Sequence, residues 1–317
     1  LELDFIVQAA EISKAVNKPV KLLWTREEDM THDYYRPAGV NQLQAGLDAN
    51  GMPVALHFKV ASQSVTQRAF GLPKDTLDPF MAEAAVAGYN IPNTQHDLFI
   101  HDSGFRVGYW RAVSHNMNAF ANESFMDELA KAAGQDPYQY RMGLLAGKPR
   151  FAHVLKLAAD KAGWGKPLAK GRALGIALME GYDTYMAQVA EVSVDASGEV
   201  QVHRVTVAAD LGHMVNPDTV EAQIQSSIIF GMGATLKHQI TMTAGRVQET
   251  NYNTFAPVRM HEAPKIDIVL VKSTEKPGGI GEPATAVVAP AIANAVASLT
   301  GKRVRRLPIT AQAIKQA

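Results

Sequence analysis

The chain has 317 residues, 47% of them hydrophobic, which is enough for a sizeable globular core and suggests two domains. Lysine and arginine together number 31, as do aspartate and glutamate, so no net charge favours nucleic acid or an anionic membrane as a partner. The lack of cysteine excludes disulfides, thiolate metal sites and cysteine-bound iron–sulfur clusters on this chain.

The first half of the chain predicts a mixture of helices, short strands and loops. The predicted helices are residues 3–16, ended by Asn17-Lys18-Pro19, residues 119–133, a helix begun by Asp136-Pro137, and residues 152–162. The predicted strands are residues 20–25, 40–47, 54–60 and 105–110, with a hairpin turn at Asn50-Gly51 and a charged turn at 26–29. Residues 62–103 lack a clean period, so we expect loops there with one short helix near 79–88.

The second half predicts a hairpin, two long helices and an edge strand. The predicted strands are residues 175–179, 189–194, 200–208 and 266–271, and the predicted helices are residues 218–237 and 286–299. A connection rich in glycine and proline, 163–171, predicts a linker between domains 1–162 and 172–317. Because strands and helices do not alternate strictly, we predict an α+β fold rather than a doubly wound sheet. No apolar run reaches the length of a membrane span, so we expect no transmembrane segment.

The segment Lys276-Pro-Gly-Gly-Ile-Gly-Glu-Pro283 places the carboxylate of Glu282 between glycine turns and the start of a small-residue apolar helix. Gly278, Gly279 and Gly281 are expected to let the backbone approach a ligand and adopt positive φ. A carboxylate held there by Pro283 can act as a general base. The alternative is that Glu282 only caps the helix, since carboxylates favour helix N-termini.

Two other polar positions are candidates for ligand binding. Arg111 and the backbone N–H groups of Ala112, Val113 and Ser114 precede a helix, which suits an anion, although Arg111 could equally tie the loop to a carboxylate. Gln223 lies on a largely apolar helix, where it is either a ligand contact or a satisfied core amide. The histidines show no metal-ligand spacing, so we predict no metal bound directly by side chains.

Several segments together resemble the molybdenum hydroxylases, the xanthine dehydrogenase and aldehyde oxidase family, and look most like the beta subunit of isoquinoline 1-oxidoreductase-type enzymes. The resemblance spans nearly the whole chain. The segments that carry it include Pro19-Val-Lys-Leu-Leu-Trp-Thr-Arg-Glu-Glu-Asp-Met30, Trp110-Arg-Ala-Val113, Val215-Asn-Pro217, Gly278-Gly-Ile-Gly-Glu-Pro283 and Ala289-Pro-Ala-Ile-Ala-Asn-Ala295. It implies a molybdenum-cofactor-binding fold of the xanthine dehydrogenase/aldehyde oxidase type, built as two α+β subdomains.

The resemblance also implies roles for particular residues. Glu282 matches the family's base beside the metal, in a loop that includes Gly279, Ile280 and Gly281. Arg111 to Ser114 match its cofactor-cradling loop, and Gln223 matches a cofactor-contacting glutamine. The implied cofactor is molybdenum–molybdopterin cytosine dinucleotide, in which the pterin dithiolene holds the metal.

The implied reaction oxidises an aldehyde or N-heteroaromatic carbon with water as the oxygen source, and electrons pass to 2Fe–2S clusters on a partner subunit. The family's Gly-Gly-Gly-Phe-Gly and Met-Gly-Gln-Gly loops do not occur in these residues, so the upstream half of the large subunit is a second expected partner. Because the chain starts at Leu1 rather than methionine, we expect a piece of a longer chain or a processed subunit.

Two alternatives stay open: a truncated, non-catalytic cofactor-binding or assembly fragment, and a carbon monoxide dehydrogenase-type relative. The second is disfavoured because nothing matches that enzyme's cysteine-bearing loop. The resemblance leaves the bacterial cytoplasm or periplasm open as compartments and slightly favours the periplasm.

Overall fold

Two helices, α1 (Asp4–Val16) and α2 (Arg26–His32), begin the computed structural model, which describes residues 3–74, 76–85 and 88–317. The predicted first helix is confirmed. The predicted strand at 20–25 and the charged turn after it are wrong, because Thr25 instead caps α2. Its hydroxyl accepts the Glu28 N–H at 3.2 Å, and the Glu28 carboxylate accepts the Thr25 N–H at 3.0 Å. This reciprocal capping box is readable from the Thr-x-x-Glu spacing.

A three-stranded sheet follows, with β1 (Gly39–Leu47), β2 (Pro53–Ser62) and β3 (Asn93–Ile100) in that order. The predicted hairpin is confirmed, since β1 and β2 pair antiparallel and Gly51 turns with φ 77°. β3 pairs parallel to β2 where we expected a loop. Its side chains are exposed or half-buried throughout, so its sequence carries no alternating signal.

The rest of the region from 62 to 110 is mostly irregular. It contains helix α3 (Val65–Phe70) and a 3₁₀ turn, Pro79–Ala82, which confirms the start of the predicted short helix. Residues 86 and 87, within that predicted helix, lie outside the described part of the chain. The predicted strand at 105–110 is wrong: Val107 forms only an isolated bridge with Tyr35.

Three helices lead to the second sheet: α4 (His115–Ala132), α5 (Pro137–Gly143) and α6 (Pro149–Ala162). All three confirm predicted helices, and α4 begins four residues earlier than expected. Asp136 caps α5 by accepting the N–H groups of Tyr138 and Gln139, as aspartate before proline predicts.

The second sheet has the order β4 (Arg172–Gly181), β5 (Thr184–Val194), β6 (Val200–Asp210) and β9 (Lys265–Leu270). The first three strands are antiparallel, and β9 pairs parallel to β6 at the edge, as expected of an edge strand. Between β6 and β9 lie α7 (Pro217–Leu236) and the small hairpin of β7 (Met242–Thr243) and β8 (Arg246–Val247). The α+β prediction is confirmed.

Helix α8 (Pro283–Thr300) lies at the centre of the molecule and packs against β4, β5, α4 and α7. A Cβ on Gly175 of β4 would lie 2.1 Å from the Ala295 nitrogen, so the absence of a side chain there permits this contact. Gly301 ends the helix with φ 73°, as predicted. Contrary to our expectation, α8 is long and apolar enough to cross a membrane, but 78% of it is buried in the fold, as in a core helix. Helix α9 (Ala311–Gln316) ends the described chain.

The helices before the 163–171 connection share a hydrophobic core with the sheet after it. Met126 of α4, Tyr140 of α5 and Val154 of α6 belong to the same buried cluster as Ile176 and Val189 of the sheet. The two predicted domains, 1–162 and 172–317, thus contribute to one buried cluster, and their division at the connection stays a prediction.

Candidate functional site

Glu282 lies at the N-terminus of α8, yet its side chain makes no capping hydrogen bond to that helix. Its Oε1 instead accepts the backbone N–H of Ala112 at 2.9 Å, a residue 170 positions away. The half-buried carboxylate is therefore held by the Arg111 loop, while the residues of α8 behind it are buried and apolar. The Glu282 side chain therefore does not cap α8, and the helix-cap interpretation is wrong.

The glycines before Glu282 act through size rather than through unusual backbone angles. None of Gly278, Gly279 and Gly281 has a positive φ, so that part of the expectation is wrong. A Cβ on Gly278 would lie 2.5 Å from the Asp183 oxygen, so this glycine permits close packing on the β4–β5 turn. A Cβ on Gly281 would meet nothing within 4 Å, which leaves open space beside the Glu282 backbone.

Arg111 joins the glycine loop to helix α7. Its Nε donates to the Gly281 carbonyl at 2.6 Å, and its terminal nitrogens donate to Ser226 Oγ and Gln223 Oε1, both at 2.8 Å. Burial lowers the pKa of Arg111, and the negative charge of Glu282 partly offsets this effect. The predicted residues Arg111, Gln223 and Glu282 thus come together around Gly281.

The loop that follows Arg111 has a strained backbone. Ala112 and Val113 have φ values of 74° and 44°, a region that side-chain-bearing residues rarely adopt and that is especially unfavourable for valine. The Asn116 side chain stabilises the loop by donating to the carbonyls of Arg111, at 2.5 Å, and Val113, at 3.3 Å. This strained conformation directs the Ala112 N–H toward the Glu282 carboxylate, which accepts it.

Gln223 is half-buried on α7, and its carboxamide orientation follows from its partner. Because Oε1 accepts from Arg111, the NH₂ group is left as a donor, and it forms no hydrogen bond within the described residues. The alternative that Gln223 is a satisfied core amide therefore explains its oxygen but not its NH₂ group.

Ser114 and Ile280 do not join this constellation directly. Ser114 precedes α4 without a side-chain cap and lines a small cavity next to Trp110 and Val113. Ile280 is partly buried and packs against the large core cluster.

Sequence reasoning missed the β4–β5 turn, where Tyr182 and Asp183 have φ of 58° and 59° in a two-residue connection. Gly279 N–H donates to the Tyr182 carbonyl, and Thr184 Oγ1 donates to the Gly279 carbonyl, both at 2.7 Å. The turn lacks the Asn-Gly pair typical of such hairpins, so the sequence gives no clear signal for it.

The Tyr182 side chain faces the candidate site. Its hydroxyl is buried and lacks a hydrogen bond of ordinary geometry. Burial raises its pKa, and the charges of Glu282 and Glu83 and a weak hydrogen bond to Glu282 raise it further. The ring lies 4.9 Å from that of His115, whose Nδ1 is 3.1 Å from a Glu83 oxygen.

Among residues 3–74, 76–85 and 88–317, no group of three or more histidine, aspartate or glutamate side chains could hold a metal ion. The sequence predicts that no metal is bound directly by side chains. For the complete protein this stays a prediction.

The chain matches two family models and several known proteins. Two models described as molybdopterin cofactor-binding domains match residues 3–143 and 115–264. The chain is 33% identical to a membrane-bound aldehyde dehydrogenase (pyrroloquinoline-quinone) of Gluconacetobacter polyoxogenes, over 96% of the chain and 44% of the relative. It is 31% identical to isoquinoline 1-oxidoreductase subunit beta of Brevundimonas diminuta, over 98% of the chain and 41% of the relative. The chain thus spans less than half the length of these curated relatives.

Solved structures share the fold at low sequence identity. Quinoline 2-oxidoreductase from Pseudomonas putida 86 superposes with a TM-score of 0.85 at 12% identity, covering 98% of this chain and 66% of that one. Aldehyde oxidoreductase from Desulfovibrio gigas has a TM-score of 0.77 at 17% identity, covering 96% and 52%.

Proposed function

The chain belongs to the molybdenum hydroxylase family, and from that premise we propose that it forms the catalytic part of a molybdenum-binding large subunit. The proposed reaction oxidises an aldehyde or an N-heteroaromatic carbon with water as the oxygen source. The observation that carries this proposal is the placement of the Glu282 carboxylate by the Ala112 N–H, beside Arg111 and Gln223. One relative's name gives a quinone cofactor. The domain models that match this chain describe molybdopterin-binding domains, so the proposed cofactor is a molybdopterin.

The residues around Gly281 fit a bulky anionic cofactor that brings its own metal ligands. Arg111 supplies a positive charge, the Gln223 NH₂ group is a donor without a partner in the described structure, and the Gly281 backbone borders open space. When bound, the molybdenum–pterin cofactor supplies two-electron oxidation. The cytosine dinucleotide form is our proposal.

The chain's own residues perform three tasks in this mechanism. Glu282 accepts a proton at the carboxylate oxygen that the Ala112 N–H does not occupy, or exchanges the two roles by rotation. Arg111 fixes the glycine loop and Gln223 in one arrangement, so that base and donor keep their relative positions. The half-buried Tyr182, whose hydroxyl is buried, and the apolar start of α8 limit the access of water to the carboxylate.

We propose two protein partners, an iron–sulfur small subunit and the upstream half of the large subunit. The chain has no cysteine to bind 2Fe–2S clusters, so the electrons need another acceptor chain. Helix α1 contains no buried residue, and Phe5, Ile6, Val7 and Val16 are each more than half exposed. Exposed apolar side chains of this kind favour a covering partner.

A second candidate is a non-catalytic cofactor-binding or assembly fragment. It is favoured by the two matching domain models, whose descriptions give cofactor binding rather than a reaction. The intact Glu282 arrangement favours the catalytic alternative.

Metal analysis tests the proposal directly. The chain is expressed alone, and also together with the upstream segment and the iron–sulfur subunit, and each preparation is analysed for molybdenum and for cytidine nucleotide released by acid. We expect the isolated chain to aggregate without metal, and the assembled complex to contain molybdenum and to oxidise aldehydes or N-heterocycles. A soluble, molybdenum-loaded isolated chain contradicts the need for partners, and a metal-loaded but inactive complex supports the assembly-fragment alternative.

A further inference from the structure

Arg36 lines a small cavity together with Val113 and Ser114 of the Arg111 loop, and it has no acidic partner among the residues that the structure describes. It follows Tyr35, whose carbonyl accepts the Gly108 N–H, and its guanidinium lies over the Trp110 ring at 4.8 Å. Trp110 in turn stacks on Phe230 at 4.7 Å and directly precedes Arg111. Within the described residues, Arg36 forms neither a hydrogen bond nor an ion pair, so the donors of its guanidinium are free.

Two other arginines of this chain, one fully and one partly buried, are neutralised by carboxylates. Arg141 donates to Glu123 at 2.9 Å, and Arg150 donates to Asp210 at 2.7 Å, and the charges of these partners raise the pKa of both arginines. Burial lowers the pKa of Arg36, and no carboxylate offsets this effect. A desolvated cation without a counter-charge is costly, which argues for a ligand that supplies the negative charge.

Arg36 lines a groove large enough for a small molecule, with a volume of about 550 Å³. The groove also contains Arg306, which has no ion pair in the described structure, and Arg305, which pairs with Glu128 at 2.6 Å. Phe120 provides an aromatic surface in the same groove. Its charge is therefore net positive, although the whole chain is neutral.

A purely structural role for Arg36 predicts the pattern seen at Arg26. That arginine also lies over an aromatic ring, Tyr252 at 4.7 Å, but it has a carboxylate, Asp29, at 3.8 Å. Arg36 differs by its burial, its lack of an acid and its position on a groove. Asp78 lines the small cavity on the other side of Arg36, where it accepts from Ser64 and the Phe80 N–H rather than from the arginine.

We propose that Arg36 binds the carboxylate or phosphate group of a small organic anion whose body lies in this groove. The planar guanidinium can bind such a group through two parallel hydrogen bonds while it remains stacked on Trp110. Arg36 also lines the small cavity that Val113 and Ser114 of the Arg111 loop line, which links the proposed anion site to the candidate site. If the proposed function holds, the anionic group belongs either to the phosphates of the cofactor or to a carboxylate on the substrate.

Calorimetry on the complete large subunit with its iron–sulfur partner tests the site, with pyrophosphate and benzoate as separate probes. The complex is prepared both with cofactor and, from molybdenum-deficient cells, without it. The variants are Arg36→Met, which removes the charge, and Arg36→Lys, which keeps it without the planar fork, and the matched control is Arg26→Met. We expect Arg36→Met to weaken probe binding by about 10-fold or more, Arg36→Lys to weaken it less, and Arg26→Met to bind like the parent.

The source of the anion follows from two further measurements. If the cofactor supplies it, pyrophosphate binds only the cofactor-free complex, and Arg36→Met lowers the molybdenum content. If the substrate supplies it, the loaded complex binds benzoate, and Arg36→Met raises KM for 4-carboxybenzaldehyde but not for benzaldehyde. The proposal is overturned if neither probe binds either form, or if Arg36→Met binds as tightly as the parent. A complex that never contains molybdenum contradicts the proposed function instead, while the pyrophosphate titration still decides the role of Arg36.

Discussion

Two glutamates near α8 have the same kinds of neighbour but very different surroundings. Glu123 is buried, and both of its oxygens are occupied: Tyr89 donates at 2.7 Å, Arg141 at 2.9 Å and the Leu178 N–H at 3.0 Å. Glu282 likewise has a backbone N–H, an arginine and a tyrosine close by. Among the described residues, only the N–H of Ala112 forms an ordinary hydrogen bond to it.

The difference lies in where the arginine and the tyrosine direct their donors. Arg111 donates to Gly281, Ser226 and Gln223 rather than to the carboxylate, and the Tyr182 hydroxyl remains without an ordinary partner. A fully satisfied carboxylate is a structural anchor, whereas a partly satisfied one retains a lone pair for a proton. The geometry of the donors, not their identity, therefore separates a structural anchor from a candidate base.

The largest effect is expected at the anchor. Glu123→Gln leaves Arg141 charged and buried without full compensation, so the free energy of unfolding should fall by about 3–5 kcal/mol. Urea and thermal unfolding measure this loss, with Glu199→Gln on the exposed β5–β6 turn as a control that should change stability by less than about 0.5 kcal/mol. Unchanged stability would mean that the buried network contributes little.

At the candidate base, the expected loss is in rate rather than in stability. Glu282→Gln can still accept from Ala112 but cannot take a proton, so turnover by the assembled enzyme should fall at least ~10²-fold. Molybdenum content and unfolding temperature should match the parent. A variant with the parental rate would show that Glu282 has only a structural role.

Removal of the arginine should separate cofactor binding from stability. Arg111→Ala loses the bonds to Gly281, Ser226 and Gln223, and we expect lower molybdenum occupancy because a cation beside an anionic ligand is gone. Metal analysis of the purified complex measures the occupancy, with Arg172→Ala as the control. Full occupancy with reduced thermal stability would instead support the loop-tethering alternative.

The smallest effects are expected at Tyr89, which donates to Glu123, and at Tyr182, which faces Glu282. Tyr89→Phe removes a donor to a buried carboxylate and should cost about 1.5–3 kcal/mol of stability. Tyr182→Phe removes a hydroxyl without an ordinary partner and should change stability by less than about 0.5 kcal/mol.

The effect of Tyr182→Phe should instead appear in turnover by the assembled enzyme. The buried hydroxyl faces the site and interacts with the Glu282 carboxylate, so its loss changes the surroundings of the proposed base and should lower turnover several-fold. Parental turnover combined with a large loss of stability would assign Tyr182 to packing alone.

Local sequence signals determined most of the helices and the hairpins. Asp136-Pro137 and Asn216-Pro217 mark helix starts, and Gly301 marks a helix end, because caps depend on a few neighbouring residues. The family resemblance also rested on local motifs, and the comparisons confirmed it.

Only the tertiary structure decided how the site is built. β3 is a strand because β2 offers it a parallel edge, although its own residues show no alternation. Ala112, Gln223 and Tyr182 come from three distant segments, and their contacts with the glycine loop depend on how α4, α7 and the β4–β5 turn pack around α8. Sequence spacing could name Glu282 as a carboxylate in a glycine loop, but the direction of each donor is set by packing between elements far apart in the chain.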